Sequence, residues 1–161
     1  MIEIEKTFLV KQLPQNLSSY QSFKIKQGYL SSTHPVLRIR QKGDKYEITK
    51  KIPLKPNDFS AVEEINIPLT KDEFNKLWSL TERNLQKTRY LIPLLNNLTA
   101  ELDIFENDLT GLYWVEVEFA SIEEMNNFQK PDWFGNDITQ EDFAANSFLA
   151  GKTFAEIKKY F

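Results

Sequence analysis

The 161-residue chain is 41% hydrophobic with 12 phenylalanines, enough apolar side chain for one core, so a single domain over residues 1–161 is expected. It has no cysteine and a formal charge of −3, which excludes disulfides, thiolate metal sites and a cysteine nucleophile and gives no basic field for nucleic acid. It opens Met1-Ile2-Glu3-Ile4-Glu5 without a basic and apolar leader, and no apolar run approaches the ~18 residues of a membrane span. A cytoplasmic protein with neither membrane nor nucleic-acid partner is expected.

Period-two alternation predicts strands over 2–10, 22–30, 36–42 and 45–52, the last two joined by the tight turn Lys42-Gly43-Asp44-Lys45. A fifth strand over 62–67 leads to Thr70, which with Glu73 makes a capping box ahead of Phe74, Leu77 and Trp78. Strands over 85–92, 99–105 and 112–119 follow, separated by turns at Asn96-Asn97 and 107–111. Ser121 with Glu124 opens a helix carrying Met125 and Phe128, another helix is predicted over about 140–150, and Thr153 with Glu156 opens a last short one. The class is α+β: a largely antiparallel sheet with a few helices packed outside it.

Separating the two faces of each strand sorts the charges. Glu3, Glu5 and Thr7 share a face opposite Ile4 and Phe8. Lys24 and Lys26 oppose Phe23 and Ile25, and Arg38, Arg40 and Lys42 oppose Leu37 and Ile39. The same parity collects Lys45, Glu47, Thr49 and Lys51, then Glu64, then Lys87 and Arg89, then Glu101 and Asp103, then Glu116 and Glu118. Alternation alone equally fits a sheet with one wet face. The signs, however, are segregated: bases on the second, third, fourth and sixth strands, acids on the first, fifth, seventh and eighth. A solvated sheet gains by mixing opposite charges across neighbouring strands, so segregation points to a charged ligand between them. About eight strands close into a barrel wide enough for one small ligand. A polyphosphate with a divalent metal suits such an interior, since bases take phosphate oxygens and carboxylates take a hard cation. The apolar outer face is then left for helices or for a second copy in a homodimer.

Short motifs in a fixed order carry a resemblance: Glu3-Ile4-Glu5, Gln27-Gly28-Tyr29-Leu30, Leu37-Arg38-Ile39-Arg40, Thr49-Lys50-Lys51, Glu64-Ile65, Lys87-Thr88-Arg89-Tyr90, Glu101-Leu102-Asp103 and Val115-Glu116-Val117-Glu118-Phe119. The chain resembles the CYTH or triphosphate tunnel metalloenzyme superfamily. The resemblance implies a closed eight-stranded antiparallel tunnel that binds a triphosphate-containing small molecule with Mg²⁺ or Mn²⁺. The implied activity is hydrolysis of inorganic triphosphate or another triphosphate compound. Carried across by match, Arg38, Arg40, Lys51, Lys87 and Arg89 are expected to bind the triphosphate, and Glu3, Glu5, Glu64, Asp103, Glu116 and Glu118 the metal. Glu5, Lys51, Glu116 and Glu118 are expected to carry the catalysis. Two departures stand out: Thr7 replaces the lysine of the family's Glu-x-Glu-x-Lys opening, and Asp142-Phe143-Ala144-Ala145-Asn146-Ser147 lacks the Tyr, Arg or Lys often found on a tunnel-plugging helix. They keep open a class IV-type adenylyl cyclase and a catalytically weak triphosphate- or nucleotide-binding module.

Other signals are weaker. Ala150-Gly151-Lys152-Thr153 imitates the end of a P-loop but has Asn146 where the motif needs glycine. His34, before Pro35, reads as a turn residue. Glu116 and Glu118 share a strand face like a glycosidase acid pair, but nearby bases suppress the raised pKa that an acid catalyst requires. The three tryptophans read as packing residues.

Overall fold

The computed structural model describes residues 2–31, 36–55 and 58–161; His34 lies outside them. Among the described residues nine strands form: β1 (Ile2–Val10), β2 (Gln21–Tyr29), β3 (Val36–Lys42), β4 (Lys45–Lys55), β5 (Asp58–Leu69), β6 (Arg83–Pro93), β7 (Thr99–Phe105), β8 (Tyr113–Glu118) and β9 (Phe134–Asp137). All pairings between them are antiparallel, in the order β5-β4-β3-β2-β6-β7-β8-β1. Residues Ile2 to Ile4 of β1 pair with Glu63 to Ala61 of β5, closing eight strands into a barrel. β9 was not foreseen; it joins the far half of β1, pairing Val10 with Phe134 and Phe8 with Asp137.

Turn chemistry sets the hairpin registers. Gly43, at φ 57°, lets Lys42 and Lys45 close the β3–β4 ladder. Asn96, Asn97 and Asn107 also take positive φ, the left-handed conformation that asparagine tolerates better than other side chains. The capping boxes at Thr70 and Thr153 both form, starting α1 (Lys71–Trp78) and α4 (Phe154–Ile157). At α2 (Ile122–Asn127) the Ser121 hydroxyl accepts from Glu124 N, while the Glu124 carboxylate reaches back to Ala120 N. The helix expected over 140–150 is instead a 3₁₀ turn at Asp142–Ala144 and the single turn α3 (Asn146–Leu149). No helix among the described residues is long and apolar enough to cross a membrane.

Two apolar clusters hold the barrel from opposite sides. On the outside, Phe8, Leu102, Val115, Val117 and Phe119 pack with Met125 of α2 and Phe134 of β9. α1 covers another outer patch, stacking buried Phe74 against Trp78 and Tyr46. On the inside, Tyr29, Leu85, Phe105 and Trp114 meet Phe143, Leu149 and Ile157 from the C-terminal segment. The last helices therefore pack against inward-facing residues instead of lying wholly outside, and leave a charged compartment beyond them.

Candidate functional site

Cross-strand register carries the charged parity around the ring. Arg38 faces Tyr29 and Thr49 in its neighbours, Lys51 faces Glu64, Arg89 faces Asp103, Glu101 faces Glu116, and Glu118 faces Glu5. Strand β2 departs from expectation. Gln27 pairs with Arg40 and Leu85, so Phe23, Ile25, Gln27 and Tyr29 share the inward parity and Lys24 and Lys26 point outward. The ammonium of Lys24 is exposed beside Glu106, and that of Lys26 sits 4.1 Å from the Trp78 ring centroid. A lysine head stays wet at little cost, whereas Ile25 gains by being buried.

A cavity of about 390 Å³ opens inside the barrel, a volume that suits a small-molecule ligand. Its walls include Arg38, Lys51, Tyr29 and Arg83 on one side and Glu5, Thr7 and Glu116 on another; residues from Thr139 to Lys152 complete it.

The bases and acids around it form two networks. In the first, Lys51 Nζ lies 2.9 Å from Glu3 Oε2 and 3.0 Å from Glu64 Oε2. Glu64 also accepts from Asn66 at 2.8 Å and lies 3.7 Å from Arg38. Burial disfavours the Glu64 carboxylate, but Lys51 and Arg38 outweigh it and hold its pKa down at about 2. Burial also pulls Lys51 down, and Glu5, Glu3 and Glu64 override it to keep the ammonium above its ordinary range. The guanidinium of Arg38 is buried, Arg40 is a neighbouring like charge, and Arg38 Nε has no hydrogen-bond partner among the described residues. A buried donor of this kind is costly unless an anion satisfies it.

In the second network Asp103, fully buried, accepts from Lys87, from Arg89 Nε at 2.7 Å and from Trp114 Nε1 at 3.1 Å. Arg89 also pairs with Glu101 and Glu116. Burial would raise Asp103, yet Arg89 and Lys87 hold it at about 2, and they depress Glu116 in the same way. Lys87 reaches the C-terminal segment as well, donating to Asn146 Oδ1 at 3.0 Å.

Glu5 stands apart. It lines the cavity and makes no hydrogen bond or ion pair among the described residues. Burial, together with Glu116, Glu3 and Glu118 and despite Lys51, pushes it up to about 7. Glu118, at the exposed end of β8, is raised by burial and by Glu101 and Glu3. Carboxylates without a direct ion-pair partner among the described residues match a hard divalent ion. Among the described residues no three acids stand close enough for a ready-made coordination shell. Mg²⁺ commonly takes one or two carboxylates and completes its shell with substrate phosphates and water, so the donor set fits.

Of the expected site residues, Glu5, Arg38, Lys51 and Glu116 line the cavity. Glu3 and Glu64 stand behind it on Lys51, while Lys87, Arg89 and Asp103 stand behind Glu116. Arg40 is engaged with Glu47 at 2.8 Å. Thr7 is inward and buried, and Lys6 points outward to Asp137 at 3.7 Å. Sequence reasoning missed Arg83 and Lys152, both on the cavity wall. Arg83 was findable, since it has the parity of Lys87 and Arg89.

The comparisons agree with this geometry. The CYTH domain model matches residues 1–142. The inorganic triphosphatase of Nitrosomonas europaea is 37% identical over 153 residues, covering 93% of this chain and 97% of that protein. The crystal structure of the inorganic triphosphatase NE1496 superposes with a TM-score of 0.67 at 34% identity, over 92% of this chain and 93% of that one. HpAC1 from Hippeastrum, assigned as an adenylyl cyclase and showing a dominant triphosphatase activity, shares the fold at 17% identity and a TM-score of 0.56, over 78% and 82% of the two chains. With its family model spanning most of its length and its charged barrel in place, the chain belongs to the CYTH domain family.

Proposed function

We propose that the chain is a divalent-metal-dependent triphosphatase acting on inorganic triphosphate. One observation carries the reading: a single cavity has Arg38 and Lys51 on one wall and on another Glu5, which has no direct ion-pair partner among the described residues, beside Glu116. The inorganic triphosphatase relative, matched over nearly the whole chain, supports the substrate class. Arg38 and Lys51 bind and orient the phosphate chain; the free Nε of Arg38 and the ammonium held charged by three carboxylates are suited to phosphate oxygens. Arg40, Lys87 and Arg89 extend the positive wall around them, and Asp103 fixes Lys87 and Arg89 in place. Glu5, with Glu116, Glu118 and Glu3, would hold Mg²⁺ or Mn²⁺. Such an ion neutralises phosphate charge and lowers the pKa of an attacking water. The barrel wall limits competing water and keeps the dielectric low, which strengthens each charge interaction.

The test is purified protein with inorganic triphosphate, Mg²⁺ or Mn²⁺, and a chelator control. Orthophosphate release with either metal, abolished by chelator and cut at least ~10-fold in Arg38→Ala, is expected. Release of pyrophosphate and cyclic AMP from ATP, with inorganic triphosphate untouched, would replace the hydrolase with a cyclase.

A further inference from the structure

We propose that Arg83 and Lys152 form a second anion subsite, at the C-terminal end of the cavity, that holds the phosphate of the triphosphate chain farthest from Arg38 and Lys51. The inference rests on the triphosphate reading above and adds its length selectivity.

Both side chains line the same cavity as Arg38, Lys51 and Glu5. Unlike Lys51, Arg40, Lys87 and Arg89, which are paired with carboxylates, these two cations have no carboxylate partner among the described residues; their partners are main-chain carbonyls and the faces of Tyr29 and Phe148. Arg83 donates to Ser147 O at 2.8 Å and, through the other terminal nitrogen, to Ser31 O at 3.4 Å. Lys152 donates to Phe148 O at 2.6 Å. A guanidinium has five N–H donors and an ammonium three, so both keep donors to offer. Glu141 and Asp142 share this rim, but they are exposed and neither forms an ion pair with Arg83 or Lys152.

The placement fits a chain-like anion. Arg83, Tyr29 and Arg38 lie in one cross-strand row over β6, β2 and β3, so the two arginine backbones are ~10 Å apart. Arg83 lies over the Tyr29 ring, 5.9 Å from its centroid, which directs the guanidinium along the cavity wall. On its other side is Gly151, at φ 80°, donating its N–H to Asn84 O. A Cβ on Gly151 would stand 3.4 Å from Arg83 Cγ. That is ordinary contact, so it is the positive φ that favours glycine here, and the turn it makes brings Lys152 to the same opening. A phosphate at Arg38 and Lys51 leaves the far end of a triphosphate to these two cations. A pyrophosphate is one phosphate shorter and lacks that end.

Isothermal titration of the full chain with inorganic triphosphate and with pyrophosphate, Mg²⁺ present, tests the subsite. Arg83→Gln and Lys152→Gln are each expected to weaken triphosphate binding about tenfold while pyrophosphate affinity stays within about twofold. Arg83→Lys is expected to recover part of the loss, because it keeps the charge and gives up the fork. Equal losses for both anions in Lys152→Gln, or no loss for either, would overturn the subsite. Lys152→Gln leaves the Arg83 bond to Ser147 O intact, so its result stands even if Arg83→Gln loosens the C-terminal segment. Wild-type protein binding neither anion would instead overturn the triphosphate reading itself.

Discussion

Replacing Glu5 by glutamine is expected to stabilise the metal-free protein at pH 8 and to leave it nearly unchanged at pH 4.5. The folded carboxylate titrates at about 7, against an ordinary value of 4.5. Below 4.5 it is protonated both folded and unfolded, and its charge costs nothing. Between the two values the folded state holds a proton that the unfolded chain has lost, so stability falls as pH rises. Above 7 the full penalty applies, about 3 kcal/mol at 1.36 kcal/mol per unit. Glutamine has almost the same shape and no charge, so it removes the cost of burying the charge, first of all, and the repulsion from Glu116, Glu3 and Glu118, and gives up the attraction to Lys51. For a domain of this size the gain corresponds to a rise in melting temperature on the order of 10 °C. Calorimetry of both proteins in chelator at pH 4.5 and pH 8 reads it directly. Equal melting temperatures at pH 8, or a gain of the same size at both pH values, would refute the argument. Added Mg²⁺ is expected to raise the wild-type melting temperature at pH 8 more than that of Glu5→Gln, since an ion that binds only the folded state stabilises it by mass action.

Asp103→Asn leaves Lys87 and Arg89 buried without their shared carboxylate; urea denaturation is expected to show a loss of about 3–5 kcal/mol at neutral pH, with or without metal, and a loss below ~1 kcal/mol would mean that Glu101 and Glu116 suffice. Thr7→Lys places an ammonium in the cavity opposite Glu116 and is expected to fold normally and tighten triphosphate binding by isothermal titration. Weaker binding there would show that the native ligand is kept from that corner.

Most of the barrel is legible because one face of each strand is charged and the other apolar, so parity reveals both the period and the interior. Parity fails on β2, where Phe23-Lys24-Ile25-Lys26-Gln27-Gly28-Tyr29 has a polar and an apolar residue available to either side. Its inward face is decided by the long-range pairs Gln27 with Arg40 and Gln27 with Leu85, which no local pattern encodes. β9 is four residues long without alternation, and it forms only because the second half of β1 has a free edge. The division of the bases was hidden for a related reason. Arg38, Arg40, Lys87 and Arg89 look alike in sequence, yet Lys87 and Arg89 are held by Asp103 while Arg38 has a free donor. Partner geometry, not residue type, separates a structural base from one open to a ligand. Lys152 stood inside a failed P-loop match, and only the turn at Gly151 brings it to the cavity.

The pairing of the interior implies that the anion and the metal act on each other's binding. Lys51 is paired with Glu3 and Glu64, and Arg89 with Asp103, Glu101 and Glu116. A phosphate that takes Lys51 must draw it away from a carboxylate, and a carboxylate released inside the barrel is costly without a new cation. Glu5 already has no direct ion-pair partner among the described residues. A divalent ion supplies that cation to Glu5 and to the acids that the phosphate displaces. It also lowers the charge of the phosphate itself. Each ligand therefore removes a cost that the other would otherwise bear. Linkage requires the factor to be reciprocal: metal must tighten triphosphate binding by the same ratio that triphosphate tightens metal binding. Titrating Mn²⁺ with and without triphosphate, and triphosphate with and without Mn²⁺, reads the factor twice. A ratio near one in both would mean that the present ion pairs stay closed when the ligand binds. The segregated charges would then serve the fold and not the site.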